Sequence, residues 1–383
     1  MGQASSSPSS HATASVPEDS LLDVELEIVS AKDIAAGDYF DMKAALKGRV
    51  ASSDAYALIE VAGQKVAWTR PIFDTLDPVW EEKFFFQNVK PDTVCKLYLL
   101  DEDMNGDDAL GQTQFTAANT NGVETTFELP ITRNNKPAGT IVVKVKSHVT
   151  KTQGHGELLQ YGPVHYSVHL SITSGILSHS MTDDRKLESS AFHLQLHNIQ
   201  HFLPHNHEWN KNYPTIQKIF SPDHPEAPIL RKAIAAEHEV IYAHGATTQY
   251  GQLQDGSDFF ALINYGKRLE KPVLFTYAIT ATGWYFSETG ASFFKDMLSK
   301  HMLHASAAFS VKYAGEFHIE KGHFGKYKLL IDNNSGTYAP PKEDLPKLKA
   351  ILENNFPGMS VEAKDRDDAE LKKSRQEILD AWA

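Results

Sequence analysis

The sequence predicts an all-β sandwich followed by a separate α+β (or α/β) domain. Three observations carry this. Between Leu22 and Lys146, short segments alternate apolar with polar residues; Val24, Leu26 and Ile28, for example, are separated by Glu25 and Glu27. Turn residues divide these segments at even spacing, as in two-layered antiparallel folds. Beyond Val149, apolar strand-like runs mix with segments of helical spacing.

The elements are expected in the following order. Residues 1–20, MGQASSSPSSHATASVPEDS, are rich in Ser, Ala and Pro and read as a disordered tail. The tail also reads M-G-x-x-x-S, which puts Gly2 and Ser6 in the places of an N-myristoylation signal. One acyl chain gives only marginal membrane binding and needs a second signal. Residues 21–148 form the sandwich. Strands are expected from Leu22, over Tyr56–Val61 with a hairpin turn at Gly63–Gln64, and over Val66–Trp68, Lys83–Phe86, Cys95–Leu100, Thr126–Leu129 and Gly139–Lys146. Residues 149–162, which include KTQGHGELLQYG, read as a linker to a domain of unassigned role at 163–383.

The densest chemistry lies at Leu99–Gly111, LLDEDMNGDDALG, where Asp101, Glu102, Asp103, Asp107 and Asp108 follow the apolar run VCKLYLL. Carboxylates so crowded repel one another, and burying them without a cation is costly. Hard oxygen donors at the end of a strand suit Ca²⁺, which takes six to eight oxygens in a flexible shell. A solvated acidic turn is the plainer reading of this stretch alone.

Three further stretches shift the balance between these readings. AKDIAAGD reaches Asp38, SSDAYALIEV places Asp54 just before a strand, and DTLDPVWEEKFFF runs from Asp74 to Phe86. With the Asp101-x-Asp103 pair and the later Asp108-x-x-Gly111, the region from about Leu21 to His148 resembles the calcium- and lipid-binding C2 domain. The resemblance implies a C2-type sandwich whose Ca²⁺ ligands fall on Asp38, Asp54, Asp101, Asp103 and Asp108. There are departures. Ala55 stands where the family usually has proline, and Asp77 where it usually has asparagine. The first loop carries the insertion YFDMKAALKGRVAS, so Asp41 rivals Asp38. The third loop is one residue short between Asp103 and Asp108, which leaves Asp107 as a substitute. Many members of the family lack the ligands; here all five positions hold aspartate.

The resemblance also implies a membrane partner. Five ionised aspartates repel an anionic phospholipid surface, whereas two Ca²⁺ ions would roughly neutralise the pocket and let lipid phosphates complete their coordination. Tyr39, Phe40 and Met42 in the first loop, and Met104 in the third, are apolar residues beside the ligands, placed either to insert at the headgroup level or to fold back and pack. Lys65 and Arg70 give a weak basic face.

In the C-terminal region, strands are expected at Tyr166–Ile172, Phe192–Ile199, Val273–Ile279, Phe309–Tyr313, Tyr327–Ile331 and Met359–Ala363. Helices are expected at Trp209–Phe220, Pro225–Tyr242, Leu345–Leu352 and Asp367–Trp382, and on the face of Phe293, Phe294, Met297 and Leu298 after the cap signal Ser287-Glu288-Thr289. Strand, helix and strand across Tyr327–Ala363 make a parallel unit if both strands join one sheet. The runs FSETGASFF and LLIDNNSGTY are similar to C-terminal regions of no assigned activity in C2-containing fungal and oomycete proteins.

Catalytic motifs do not emerge. His193, His197, His201 and His205 recur every four residues and would stack on one face of a helix, but FHLQLHNI alternates like a strand and the run then breaks at Pro204. H-E-x-x-H, G-x-S-x-G and a glycine-rich phosphate loop are all absent. Glu316, His318, Asp332 and Ser335 are the residues from which a hydrolase site can be drawn, although turn chemistry alone accounts for DNNSG.

Composition limits the alternatives. The 383 residues are comfortable for two domains, and 41% apolar content is globular. A net charge of −12 argues against nucleic acid as a partner. Cys95 is the single cysteine, so a reducing compartment fits. No apolar run reaches the roughly 20 residues that span a bilayer, and no secretory signal core is evident. The expectation is therefore a cytoplasmic, peripherally membrane-associated protein that binds calcium and then phospholipid, a binding protein rather than an enzyme. Its C-terminal domain is carried to the membrane and has protein partners of its own. A hydrolase-like C-terminal domain and a calcium-independent protein-interaction module are the alternatives.

Overall fold

The computed structural model describes residues 20–35, 53–102, 107–150, 156–170, 190–206, 248–288, 311–322, 326–335, 338 and 340–382. Ten strands form the first sheet: β1 (Leu22–Lys32), β2 (Ser53–Val61), β3 (Gln64–Trp68), β4 (Ile72–Thr75), β5 (Val79–Val89), β6 (Val94–Asp101), β7 (Asp108–Thr116), β8 (Thr125–Arg133), β9 (Lys136–Val149) and β10 (Leu159–Tyr161). The order is β10-β5-β1-β9-β8-β7-β6-β2-β3, with β4 paired to β2. A single register pair, Gln112 with Thr132, joins β7 to β8. The sheet therefore folds into two layers hinged at that pair. Their apolar sides meet in one core, in which Leu26, Ile28, Val143 and Val145 of one layer pack with Ala57, Ile59, Leu97 and Leu99 of the other.

The alternation read from the sequence is the alternation of burial: β2 buries every second residue from Ser53 to Val61. The β2–β3 turn is centred one residue earlier than expected, on Ala62 and Gly63, both with positive φ (51° and 77°). A two-residue hairpin loop needs that conformation at both positions. The stretch expected as a linker ends in β10, which pairs antiparallel with β5 through Leu159–Gln87, Gln160–Phe86 and Tyr161–Phe85.

The second sheet contains β11 (Val164–Leu170), β12 (Ser190–Gln195), β13 (Gln249–Leu253), β16 (Phe275–Ile279), β17 (Trp284–Glu288), β18 (Tyr313–Lys321), β19 (Tyr327–Asp332) and β20 (Ser360–Lys364). Its order is β13-β11-β12-β17-β16-β18-β19-β20, and β14 (Lys267–Arg268) with β15 (Lys271–Pro272) forms a separate small hairpin. The helices are α1 (Ile199–Phe202), α2 (Gly256–Leu262), α3 (Leu345–Asn355) and α4 (Ala369–Asp380). Among the described residues this region is largely β with few helices. The expected parallel unit is present, since β19 and β20 pair in parallel around α3. Helix α4 begins one residue after Asp368, whose carboxylate accepts the Leu371 N–H at 2.9 Å.

One side of this sheet carries an aromatic core. Phe259 of α2 stacks on Trp284 at 5.2 Å, Phe275 stacks on Phe317 at 4.8 Å, and Leu348, Ile351 and Leu352 of α3 pack into the same cluster. Ser287 and Glu288, expected to cap a helix, instead end β17 opposite Ala191 and Phe275. The expected helices at 209–220 and 225–242, and Phe293, Phe294, Met297 and Leu298, lie outside the described residues.

Candidate functional site

The acidic end of the sandwich is assembled by strand pairing. Ala55 pairs with Asp101 across β2 and β6, and Asp101 pairs with Asp108 across β6 and β7. A register shift between Leu99 and Leu100 brings Asp101 opposite Asp108. It falls beside Gly111, where a Cβ would lie 2.5 Å from the Ile131 side chain, so glycine is required by space as well as backbone. The DPVW turn anchors the other side. Trp80, 1% exposed, donates its indole N–H to the Ala55 carbonyl at 3.3 Å and so fixes the strand that presents Asp54. Asp77 accepts the Asp33 N–H at 3.0 Å, tying the end of β1 to the same corner.

Within this frame the carboxylates meet. Asp101 Oδ1 accepts the Asp54 N–H at 2.5 Å, and Asp54 Oδ1 accepts the Asp74 N–H at 2.9 Å. Glu102 donates its N–H to the Asp54 carbonyl at 3.0 Å, and Tyr56 donates its hydroxyl to Asp107 Oδ2 at 2.6 Å. Burial pushes the Asp54 carboxyl above the usual range, the Asp74 N–H bond pulls it down, and the Asp74 charge adds to the rise. Burial and the Asp107 carboxylate likewise hold the Tyr56 phenol above its ordinary range.

Of the five aspartates expected to bind metal, Asp54, Asp101 and Asp108 are described, and all three sit at this end of the sandwich. Asp38 and Asp103 lie outside the described residues, as do the rival Asp41, the apolar Tyr39, Phe40, Met42 and Met104, and Gly2. Among the described residues alone, no three His, Cys, Asp or Glu side chains form a metal-holding group. The donors present are hard carboxylate oxygens under mutual repulsion, the set that suits calcium. Asp74 is the member that sequence reasoning left out. Its place in DTLDPVW was noticed, but only the fold shows its backbone bonded to Asp54.

The two residues of the weak basic face each have a partner. Arg70 Nη1 binds Glu82 at 2.7 Å, and Lys65 lies 5.9 Å above the Tyr98 ring. The histidine series is divided among elements. His193 is in β12 with Nε2 donating to the Thr282 carbonyl, half-buried His197 faces the Pro163 carbonyl, and His201 of α1 pairs with Glu157. Burial drops His197 to about 4, so it is neutral at physiological pH.

Of the four candidate hydrolase residues, Glu316 and Asp332 touch through the backbone N–H of one and the carboxyl of the other, and His318 and Ser335 bond to other residues. Glu316 takes Arg375 of α4 in a forked ion pair at 2.5 and 3.2 Å. Asp332 Oδ1 accepts the N–H groups of Glu316 and Asn334. His318 Nε2 meets Ser374 Oγ at 2.8 Å, and Ser335 Oγ accepts the Tyr338 N–H. The Ser–His hydrogen bond that such chemistry requires is not made by this serine and histidine.

The two-layered sandwich coincides with residues 22–131, which match the family model for the C2 domain. The N-terminal third of the chain is a C2 domain. Among solved structures, the chain is similar to a C2 domain at 16% identity, covering 33% of this chain and 99% of that one, with a TM-score of 0.26. It is similar to the calcium-bound pair of C2 domains of extended synaptotagmin 2 at 21% identity, covering 41% of this chain and 58% of that one, with a TM-score of 0.27. It is also similar to human GIVD cytosolic phospholipase A2 at 12% identity, covering 71% of this chain and 33% of that one, with a TM-score of 0.30. The chain thus spans a third of that phospholipase's length and just over half of the synaptotagmin fragment's.

Proposed function

We propose that this is a calcium-dependent phospholipid-binding peripheral membrane protein. Residues 21–148 are the membrane-binding unit, and residues 163–383 are a second unit, of α+β class, that it brings to the lipid surface. The observation that carries the reading is the junction of Asp54 and Asp101. Two acids far apart in sequence are held at one end of the sandwich by a 2.5 Å contact, with Asp74 and Asp108 alongside. In this reading Asp38, Asp54, Asp101, Asp103 and Asp108 hold calcium, whose positive charge offsets theirs and is shared with lipid phosphates. The chain's own part is to hold acids and apolar groups at one tip: Tyr39, Phe40 and Met104 enter the headgroup layer, and myristate on Gly2 adds a second weak anchor. Among the described residues no helix is long and apolar enough to cross a membrane. Attachment at the cytoplasmic face of a membrane is the corresponding location.

The test is co-sedimentation with phosphatidylserine-containing vesicles in calcium or EGTA, using the wild type and Asp101→Asn/Asp103→Asn. Calcium-dependent pelleting that the double variant loses is the expected result. Equal pelleting in EGTA overturns the calcium switch and leaves a calcium-independent interaction module as the better account. Intact mass after co-expression with an N-myristoyltransferase tests Gly2: one myristoyl addition is expected, and an unmodified mass removes that anchor.

A further inference from the structure

The two sheets meet through a polar patch. On β11, Val168 turns into the aromatic core, as do Phe192 and Leu194 on β12. The alternate positions face the other way and lie in register on three neighbouring strands. Gln252, His165 and Gln195 form one row, and Tyr250, Ser167 and His193 form the next. Period-two alternation therefore builds a grid of six polar side chains with Ser167 at the centre of its row. Trp68, Arg70 and Glu82 of the first sheet roof this grid and leave a cavity of about 120 Å³.

Ser167 is 5% exposed, and its Oγ is buried with no hydrogen-bond partner. A hydroxyl left in that state loses the hydrogen bonds it would make in water, so the position asks for a partner. The neighbouring groups define its chemistry. Glu82 accepts from the Arg70 N–H and guanidinium and faces His165 Nδ1 at 3.1 Å. Gln252 Nε2 meets His165 Nε2 at 3.2 Å. The carboxylate is thus offset by the guanidinium, so the cavity favours neither an anion nor a cation. Gln195 spends its amide N–H on the Trp68 carbonyl at 3.2 Å and keeps its oxygen as an acceptor. The cavity offers an amide acceptor, a guanidinium donor and a hydroxyl that does both, beside the Trp68 ring. The volume admits on the order of ten non-hydrogen atoms.

We infer that this cavity between the two sheets binds a small uncharged polyhydroxylated molecule, of the monosaccharide or cyclic polyol class. Each hydroxyl of such a ligand donates and accepts, which matches the mixed lining, and its C–H face suits an aromatic wall. The site is distinct from the acidic end at Asp54 and Asp101, and it does not depend on calcium or lipid binding there.

The test uses the full chain with glycerol, myo-inositol, D-glucose and D-mannose at millimolar concentration, and with sodium sulfate and ammonium chloride as charged controls. Thermal shift and saturation-transfer NMR read binding. At least one polyol is expected to raise the melting temperature and give transfer signals, and Ser167→Ala is expected to weaken it by about tenfold. Ser167→Val fills the position with a methyl and should abolish binding; Gln195→Met, at a half-buried site, gives the same readout if the valine variant fails to fold. The proposal is overturned if none of the four polyols binds, if only the charged controls do, or if Gln195→Met and the folded Ser167 variants bind undiminished. A crystal soaked in the binding polyol that holds only water in the cavity overturns it as well.

Discussion

Asp101 Oδ1 accepts the backbone N–H of Asp54 at 2.5 Å across 47 residues of sequence. One oxygen of a candidate metal ligand is therefore already bonded to the peptide of another. Asp101 is 8% exposed, so this bond holds β2 and β6 together as well as placing two acids side by side. Structural and ligand roles coincide in one side chain, and substitutions should separate them.

Asp101→Ala removes the acceptor and leaves the Asp54 N–H without it, which should cost about 1–3 kcal/mol in urea unfolding even in EGTA. Asp101→Asn keeps an oxygen at that position and should lose less than about 1 kcal/mol. Both variants should lose most of the calcium-induced rise in melting temperature. An asparagine variant that keeps the full calcium shift removes Asp101 from the ligand set.

The acids at this end were legible because their spacing follows strand ends, and strand ends follow the alternation of apolar residues. Asp54, Asp101 and Asp108 were placed by the resemblance of their flanking motifs to those of the C2 domain, and the strand ends agree with it. Asp74 was not assigned a role, because its contribution passes through a backbone N–H that any residue would supply. The partner of Arg70 was missed for a different reason. Glu82 alternates with Trp80, Phe84 and Phe86 on the buried side of β5, and its partners Arg70 and His165 are brought to it by the fold.

Glu316 of β18 forms a partly buried ion pair with Arg375 of α4, with 7% and 32% side-chain exposure. Removing the guanidinium strands a carboxylate beside Asp332. Arg375→Met should therefore destabilise the protein by about 3 kcal/mol in urea unfolding. Adding Glu316→Gln should recover part of the loss, because the uncharged amide no longer needs the cation. A single variant that loses less than about 1 kcal/mol would show that α4 holds its place by Leu371 and Ile378 alone.

Burial, reinforced by the Glu316 charge, pushes the Asp332 carboxyl up to about 7. An unfolded aspartate titrates near about 4. The folded state thus holds this proton more tightly, so the contribution to stability is complete below about pH 4 and is lost as pH rises through about 7. Asp332→Asn keeps an oxygen for the N–H groups of Glu316 and Asn334 and has no proton to lose. Relative to wild type, the variant should gain on the order of 2–4 kcal/mol between about pH 4 and pH 8, read as the difference of two urea-unfolding series. A difference independent of pH would mean that the carboxyl is ionised throughout.

The second sheet was legible where one period ran unbroken. Tyr327–Asp332, α3 and β20 were all anticipated, and their parallel pairing followed from the helix between them. The strands β13 and β17 were not anticipated. QYGQL and WYFSE are short, and polar or half-buried residues interrupt their apolar side. They are strands because β11 and β12 supply hydrogen-bonding edges, a tertiary cause with little trace in five residues.

Glu82 is the hinge of the contact between the sheets. It accepts the Arg70 N–H at 3.2 Å and the Arg70 guanidinium at 2.7 Å, and it faces His165 Nδ1 at 3.1 Å, while Phe84 stacks on the His165 ring at 4.8 Å. Glu82→Ala leaves all three donors without their acceptor in a contact where His165 is 7% exposed. The loss should be about 2–4 kcal/mol in urea unfolding. Hydrogen exchange of the Arg70 amide should quicken by at least about tenfold, because its acceptor is gone. Glu82→Gln retains one carbonyl oxygen and should fall between wild type and the alanine variant on both measurements. If the Arg70 amide exchanges at the wild-type rate in Glu82→Ala, Glu82 does not hold the two sheets together, and packing of Phe84 and Trp68 against the imidazoles must do so instead.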